Sequence, residues 1–345
     1  MQFEYTPPQT AFEHAFGGHN DVNAFGKIEP GDDLKFLEFL QKSAVPTRAS
    51  IYIDSLGGHV ETAISLGHMI RERWFSTHIG SILLGAEAEN GILINREFRT
   101  GSCMSAATLM YIGGRLRYFS AGSSFGVHQF SFRNPTPRHI GQSQTLSYQI
   151  ARFIRDMGVD LDFLDISSSV DSSEIKLIDV PLLRQLRVVT DGETPVSWTV
   201  LAANNTVSVR AERDSLYGHH KILLSYLGGN FMIHAVIESQ GRSEMLESYP
   251  LVELTFNEDD DIDISDRVFR VSLNSYTNII CKITLDEARQ IVLSKGFGVQ
   301  VRGSRDAGMF LGISPMSTES GRDKLTSFFT ALTGEVLISP ELAGS

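Results

Sequence analysis

The first half of the chain alternates short apolar segments with segments of helical periodicity, and this alternation restricts the fold more than any other feature. Apolar residues, Leu34 and Leu37 among them, recur at helical spacing over residues 32–43, and a second such pattern runs over 60–73. Between them lies a strand pattern, rich in β-branched and aromatic residues, at 50–54. Strand–helix–strand units of this kind predict an α/β fold with a mostly parallel sheet.

The remainder of this half contains shorter elements. Residues 1–30 are polar and rich in turn residues, which favours an irregular lead-in with one strand. The other elements expected from apolar patterning are strands over 78–99 with a break at 85–91, short strands at 117–119 and 125–128, and a helix over 145–158.

Beyond residue 192 the pattern changes to strand-like segments joined by turns. Gly228 and Gly229 separate two of these segments, as is typical of a β-hairpin. Thr284 and Glu287 have the spacing of a capping box, which predicts the start of a helix. Strands are expected at 198–202, 207–211, 221–227, 231–237, 251–256, 268–273 and 279–283, and a last helix at 323–332. We therefore expect a domain of residues 1–192 and a smaller, β-rich α+β domain of residues 197–345, whose role the sequence does not indicate.

Composition restricts the class of protein and of partner. There are 41 Asp and Glu residues against 30 Lys and Arg residues, a net charge of −11, so the chain lacks the basic surface of a general nucleic-acid binder. Cys103 and Cys281 make neither a disulfide framework nor a zinc motif, which favours a reducing compartment. No segment has the pattern of a secretory signal or of a bilayer span, so a cytoplasmic location without a membrane partner is expected.

Adjacent glycines end the first of the predicted parallel strands. Gly57 and Gly58 precede the helix over 60–73 and lack Cβ atoms, so their N–H groups can face an anion or a carbonyl oxygen. Such glycines are also common in tight strand-to-helix turns, and alone they favour that structural interpretation.

Two reactive residue types stand at the ends of apolar segments. Ser105 lies among small residues before an apolar helix, where a substrate has access, although a helix-capping serine is the more usual finding. His128 follows a short strand, where a buried structural histidine is the more usual finding. Neither residue alone indicates an enzyme.

Together, the three motifs resemble in order and spacing those of the Clp protease proteolytic subunit and its relatives in the ClpP/crotonase superfamily. The resemblance covers residues 20–190. Within this superfamily, the chain is similar to Clp-protease-like proteins with a C-x-S-A motif and an appended domain. It implies a ClpP/crotonase-like ββα-type core. The motifs stand here as Ser55-Leu56-Gly57-Gly58, Gly101-Ser102-Cys103-Met104-Ser105-Ala106-Ala107 and Val127-His128-Gln129-Phe130, with Leu56 and Ala107 in place of the family's proline and glycine.

The resemblance implies a serine endopeptidase that acts on peptides or proteins without a cofactor or metal. Ser105 would be the nucleophile and His128 its general base. The N–H groups of Gly57 or Gly58 and of Ala106 would form the oxyanion hole. A homo-oligomer is implied as well, with the helix over 145–158 at the position of the family's ring-to-ring contact. No motif indicates an ATPase partner.

The third member of the implied triad has more than one candidate. In the family an aspartate follows a long helix, and counting back from residues 187–189 places Glu174 nearest to that position. Asp171 is the alternative, Asp179 is a poorer one, and a Ser/His dyad without a carboxylate also remains open.

The other candidate residues favour structural roles. The acidic run at 257–263 lacks the spacing of an EF-hand and predicts a solvated loop. His219 and His220 point to opposite faces of a strand, and neither they nor His234 belong to a complete zinc ligand set. His59 is expected at a helix entry, although a substrate contact is an alternative. Cys103 is expected to be a buried packing residue, with a nucleophilic role as its alternative.

Two other functions are compatible with the same fold. A non-catalytic member would use the oligomer as a binding scaffold, and its Ser105 and His128 would lie beyond hydrogen-bond distance. A crotonase-type enzyme would bind acyl-CoA and use the glycine N–H groups as its oxyanion hole. The juxtaposition of a serine with a histidine favours the peptidase.

Overall fold

The structure, a computed structural model, describes residues 1–15, 19–87, 94–131, 138–203, 206–257, 260–335 and 337. It consists of two compact units, Met1–Gly192 and Glu193–Ser345. Helices and several sheets occur together, so the predicted α/β class is confirmed. Within these ranges, no helix combines the length and the apolar composition that a bilayer crossing requires.

The first unit contains ten strands and seven helices in its described residues. In chain order they are β1 (Gln2–Thr6), α1 (Ala11–Ala15), β2 (Asp21–Phe25), α2 (Asp32–Lys42), β3 (Ser50–Asp54), α3 (Val60–Glu72), β4 (Ser76–Ile79), β5 (Ser81–Glu87), β6 (Ile94–Arg99), β7 (Ser102–Met104), α4 (Ala107–Ile112), β8 (Arg117–Tyr118), β9 (Ser124–Val127), α5 (Arg138–Asp156), α6 (Asp162–Ser168), β10 (Lys176–Leu177) and α7 (Val180–Gln185).

The described residues of this unit form three sheets. The largest has the strand order β1-β2-β3-β4-β8, in which β2, β3, β4 and β8 are parallel and β1 is an antiparallel edge strand. A second sheet has the order β10-β9-β7, with β7 parallel to β9. Strands β5 and β6 form an antiparallel hairpin. The second sheet carries the residues immediately before the predicted nucleophile and base, in β7 and β9.

The sequence-based assignment of residues 1–30 was wrong in part, because two strands and a short helix occupy this lead-in. Strand β2 is buried although its sequence includes Asp21 and Asn23. The Asn23 side chain accepts a hydrogen bond from the Ile82 N–H at 2.9 Å and donates one to the Ile82 carbonyl at 2.8 Å. A side chain that hydrogen-bonds to backbone groups in this way is buried at a low cost in free energy. Its polarity therefore wrongly suggests an exposed position when the sequence is considered alone.

Two other assignments in this half also differ in detail. Helix α2 buries Phe36 and Leu40, but Leu34 is 70% exposed, so the predicted apolar face is only partly used. The predicted break at 85–91 begins within β5, which continues to Glu87, and its residues 88–91 lie outside the described ranges. Helices α6 and α7 and strand β10 were not predicted.

A histidine lies inside an aromatic stack on the largest sheet. The ring of His78 lies 4.6 Å from that of Tyr52 and 4.7 Å from that of Tyr118, centroid to centroid, on three adjacent strands. Burial lowers the pKa of His78 from 6.5 to about 4. The folded protein therefore holds this ring neutral at pH values where the unfolded chain already binds a proton.

We expect this burial to make the first unit acid-sensitive. Because burial lowers the pKa of His78 from 6.5 to about 4, its contribution to stability is complete above about pH 6.5 and is lost as the pH falls towards 4, by roughly 3 kcal/mol. The measurement is the free energy of unfolding in urea at several pH values, followed by Trp74 fluorescence in a Trp198→Phe background. His78→Phe should weaken the pH dependence, whereas replacement of the exposed His14 by Gln should not. Equal slopes in both variants would contradict the assignment.

The second unit has ten strands and three α-helices in its described residues. They are β11 (Ser197–Ala203), β12 (Thr206–Ser215), β13 (Gly218–Leu227), β14 (Asn230–Glu238), α8 (Ser243–Ser248), β15 (Leu251–Phe256), β16 (Ile262–Asp263), β17 (Val268–Leu273), β18 (Tyr276–Ile283), α9 (Leu285–Leu293), β19 (Gly296–Arg302), β20 (Leu311–Ser317) and α10 (Arg322–Thr333). An antiparallel sheet of order β11-β12-β13-β14-β18-β17 accompanies one of order β16-β15-β19-β20.

The predictions for this unit are confirmed where they rest on turn residues and on a helix cap. Gly228 and Gly229 both have positive φ and join β13 to β14. Thr284 and Glu287 form the predicted capping box at the start of α9. Strands β19 and β20 were not predicted. Gly296 and Gly298 interrupt the pattern of β19, and Gly312 and Pro315 that of β20, and both residue types are depleted in strands. A Cβ on Gly298 would lie 2.3 Å from the Ile313 carbonyl oxygen, so this glycine permits close strand contact.

Candidate active site

Ser105 lies in the turn between β7 and α4. Its φ is +56°, a left-handed conformation that non-glycine residues rarely adopt, and such outliers are concentrated at functional sites. The Ser105 N–H donates to the Gly126 carbonyl at 2.9 Å, and the Ser105 carbonyl accepts from the Thr108 N–H at 3.0 Å and from its hydroxyl at 2.7 Å. The backbone of this residue is held on both sides, which leaves its side chain available for other contacts.

The Ser105 hydroxyl faces His128. The distance from Ser105 Oγ to His128 Nε2 is 2.6 Å, within hydrogen-bond range. The helix-capping interpretation of Ser105 does not apply, because the cap of α4 is Ala106 and has no side-chain hydrogen bond. The structure thus brings together two residues that are 23 positions apart in the sequence.

The other nitrogen of His128 contacts the backbone. Nδ1 lies 3.0 Å from the Ser172 carbonyl oxygen. A carbonyl oxygen only accepts hydrogen bonds, so Nδ1 carries the proton in this arrangement. In the neutral ring, Nε2 then presents a lone pair to the Ser105 hydroxyl, which is the tautomer that a general base requires. The next residue is held as well, because the Gln129 N–H donates to the Val170 carbonyl at 2.9 Å.

The two candidate carboxylates lie in the turn that carries this carbonyl. Asp171 and Glu174 are exposed, and the Glu174 N–H donates to the Asp171 carbonyl at 3.0 Å. The pKa of Asp171 is lowered, first by the Ser173 N–H, then by the Ser173 hydroxyl, with the nearby His128 contributing. Asp179 caps α7 through the Leu182 N–H. Among the described residues, His128 Nδ1 contacts the Ser172 carbonyl and none of these carboxylates.

The glycine turn, residues 55–58, is hydrogen-bonded to β7, the strand that precedes Ser105. Ser55 donates its N–H to the Ser102 carbonyl at 2.7 Å and accepts from the Met104 N–H at 3.0 Å. Gly57 has a φ of +94°, and a Cβ there would lie 2.8 Å from Ser105 Cβ and 2.9 Å from Ala106 N. Gly57 therefore has no space for a side chain, because its backbone lies directly against the nucleophile.

Two backbone donors near Ser105 remain available for a ligand. The Gly57 N–H is engaged by Ser55 Oγ at 3.1 Å. Within the described part of the chain, the N–H groups of Gly58 and Ala106 donate no hydrogen bond. Gly58 is held in position because its two chain neighbours hydrogen-bond to the backbone of Ile28. A Cβ on Gly58 would lie 2.1 Å from the Ile28 carbonyl oxygen.

A cleft of about 770 Å³ opens beside the nucleophile. Ser105, His128, Gly57 and Gly58 line it, and Leu56, which is 75% exposed, lies at its edge. A narrower pocket of about 50 Å³ adjoins Ser105 and is lined largely by apolar side chains, Leu109, Val127 and Phe163 among them. The nucleophile thus faces an open cleft, with a small apolar recess beside it.

The remaining site candidates in this unit have structural positions. Cys103 is fully buried, and burial raises the pKa of its thiol well above the ordinary value, so the reactive thiolate is disfavoured. His59 is the N-cap of α3, where its Nδ1 accepts from the Thr62 N–H at 3.3 Å.

In the second unit, His219 lies between two carboxylates. Nε2 of His219 lies 2.8 Å from Glu212 Oε1, and Nδ1 lies 3.0 Å from Asp214 Oδ1. Across the described residues, even so, no group of three or more potential ligands has the arrangement of a metal site. His234 hydrogen-bonds to Asn278.

Ser172 was not identified from the sequence. Its contribution is a backbone carbonyl, which any residue type supplies, so no residue pattern could identify it. The left-handed conformation of Ser105 was also not predicted, although the small residues around it allow such a turn.

No family model matches the chain, and no curated protein matches its sequence. Among solved structures, a ClpP1 mutant from Listeria monocytogenes is similar to part of the chain, with 16% sequence identity and a TM-score of 0.35. The similar region covers 50% of this chain and 89% of that protein. A likeness at this level gives no information about activity.

Proposed function

We propose that the first unit is a serine peptidase in which Ser105 is the nucleophile and His128 the general base. The observation that carries this proposal is the 2.6 Å contact between Ser105 Oγ and His128 Nε2, together with the proton that the Ser172 carbonyl holds on Nδ1. The positive φ of Ser105 supports it, because backbone strain at a nucleophile is a recurrent feature of serine hydrolases.

Acylation follows from this geometry. As Ser105 Oγ attacks the scissile carbonyl carbon, His128 Nε2 takes the hydroxyl proton, and the resulting imidazolium carries a proton on each nitrogen. When the tetrahedral intermediate collapses, the C–N bond breaks and the Nε2 proton passes to the leaving amine. The product is an ester of Ser105 and a free amine, and His128 is neutral again.

Deacylation repeats the sequence with water. His128 takes a proton from the attacking water, and then returns it to Ser105 Oγ as the ester bond breaks. In both halves the carbonyl oxygen develops negative charge, and the N–H groups of Gly58 and Ala106 are the available donors for it. The ClpP/crotonase-like core belongs to the same proposal.

The distance between Ser105 and His128 favours catalysis over the non-catalytic alternative, which would leave the two side chains apart. The crotonase-type alternative shares the glycine donors but makes no use of a serine that contacts a histidine. A direct test is incubation of the protein with a fluorophosphonate probe, followed by peptide mapping. An adduct on Ser105, together with hydrolysis of fluorogenic peptides, is expected, whereas a folded protein that gives neither result would refute the peptidase.

We expect the carboxylates near His128 to contribute little. The Ser172 carbonyl already fixes the tautomer, so Glu174→Gln and Asp171→Asn should each change kcat/KM by less than about threefold. The measurement is steady-state hydrolysis of one peptide by both variants, with Asp179→Asn as a control that removes a carboxylate from the cap of α7. A hundredfold loss in one variant alone would identify that carboxylate as the third member of a triad.

Homo-oligomerisation belongs to the proposal as well. The exposed Tyr148 on α5 lies in the segment that the family resemblance associates with contacts between rings. Light scattering of the full chain and of Tyr148→Glu is the appropriate measurement, since a charge there would dissociate an assembly that uses this helix.

A further inference from the structure

The second unit contains a groove of about 860 Å³ that the proposed peptidase chemistry does not use. Its volume lies within the range of small-molecule sites, which are mostly apolar with a few polar groups. Large apolar side chains line it and several are well exposed to solvent, as Met309 is at 86% and Tyr217 at 69%. Apolar residues along the groove include Tyr217, Met245, Leu246, Tyr249, Met309 and Phe310.

Most polar side chains in the groove are already paired within the chain. Arg213 contacts Glu193 Oε2 at 3.1 Å and Ser314 Oγ at 2.7 Å. Glu238 accepts from the His219 N–H at 2.7 Å, and the Ser239 hydroxyl pairs with Thr277 at 2.9 Å. A peptide lying here would therefore find few side chains with which to satisfy its own amide groups, and unsatisfied amides are costly to bury.

Arg242 differs from the other charged residues of the groove. It precedes α8, and its guanidinium donates to the Gln240 side-chain oxygen at 2.9 Å. Within the described ranges, no carboxylate lies within ion-pair distance of this guanidinium, whereas Arg213 has Glu193. Burial lowers the pKa of His220, which also lines the groove, to about 4, so that ring adds no charge at neutral pH.

We propose that this groove binds an amphipathic organic anion, with its apolar body against the aromatic and aliphatic lining and its acidic group on Arg242. Charge complementarity selects the anion, because a carboxylate would supply the ion pair that Arg242 lacks. The apolar lining selects a hydrocarbon body, because burial of such surface is favourable and makes no demand for hydrogen bonds. The site belongs to the second unit and does not depend on Ser105.

The test is calorimetric titration of the full chain with decanoate, decanol and decyltrimethylammonium, each below its aggregation concentration. Saturable binding of one decanoate per chain is expected, with decanol bound about tenfold more weakly because it lacks the charge-assisted contact. A Ser105→Ala variant should bind decanoate equally well, which separates this site from the proposed peptidase. Binding to phosphatidylglycerol vesicles without binding of free decanoate would overturn the proposal in favour of a membrane surface.

Matched variants test whether Arg242 supplies the charge that binds the carboxylate of decanoate. Arg242→Gln should weaken decanoate about tenfold and leave decanol unchanged, and Arg242→Lys should restore most of the affinity. Lys282→Gln removes the same charge from an exposed position on β18, outside the groove, and should have no effect. The proposal is overturned if the Arg242 and Lys282 variants behave alike, if decanol and decanoate bind equally, or if neither ligand saturates.

Discussion

Replacement of Ser105 by alanine is expected to abolish peptide hydrolysis, with a loss of kcat on the order of 10⁶-fold, the magnitude seen when a serine hydrolase loses its nucleophile. The residual rate would come from the backbone donors and from binding alone. The backbone around residue 105 is held by Gly126 and Thr108, and an alanine retains those hydrogen bonds. The variant should therefore fold, and its unfolding midpoint should stay close to that of the parent protein.

Ser102 offers a matched control for this experiment. It lies on the strand that leads to Ser105, lines the same cleft, and its hydroxyl pairs with that of Ser124 at 3.1 Å. Ser102→Ala should retain fluorophosphonate labelling and a rate within a few fold of the parent. Full activity in Ser105→Ala, or loss of labelling in both variants, would be incompatible with Ser105 as the nucleophile.

The sequence predicted the elements that frame this site because their local signals agree with their final environment. Strand β3, the glycine turn and helix α3 follow one another in an apolar pattern that matches their burial. His128 was proposed as the partner of Ser105 from motif order alone, and the structure brings the two together. The pairing of Ser105 with His128 depends on β7 lying beside β9 in one sheet, which motif order implies and residue types do not encode.

Other features depend on tertiary contacts that have no local signature. Asn23 is buried because the Ile82 backbone satisfies its side chain, so a buried strand has a polar sequence. The contact of His128 with Ser172 uses a carbonyl that every residue carries. In the second unit, Gly298 occurs in a strand because another strand approaches it closely. In each case the decisive contact is made with a partner distant in sequence.

Gly57 provides the second test with a large expected effect. In Gly57→Ala the new Cβ would lie 2.8 Å from Ser105 Cβ and 2.9 Å from Ala106 N, in the space beside the nucleophile and one proposed oxyanion donor. We expect a loss on the order of 10³-fold in the rate of fluorophosphonate labelling and in kcat, comparable to the removal of an oxyanion donor.

Gly26 separates this steric effect from backbone strain. It lines the same cleft and has a φ of +87°, close to the +94° of Gly57, but a Cβ there would meet no atom within 4 Å. Both alanine variants therefore carry the cost of a left-handed conformation, about 1–3 kcal/mol, and only Gly57→Ala obstructs the catalytic groups. If the two variants were labelled at equal rates per folded molecule, obstruction beside Ser105 would not be the cause of any loss of reactivity in Gly57→Ala. If Gly26→Ala retains labelling while Gly57→Ala loses it, the close approach of the glycine turn to Ser105 is a requirement of the chemistry and not only of the fold.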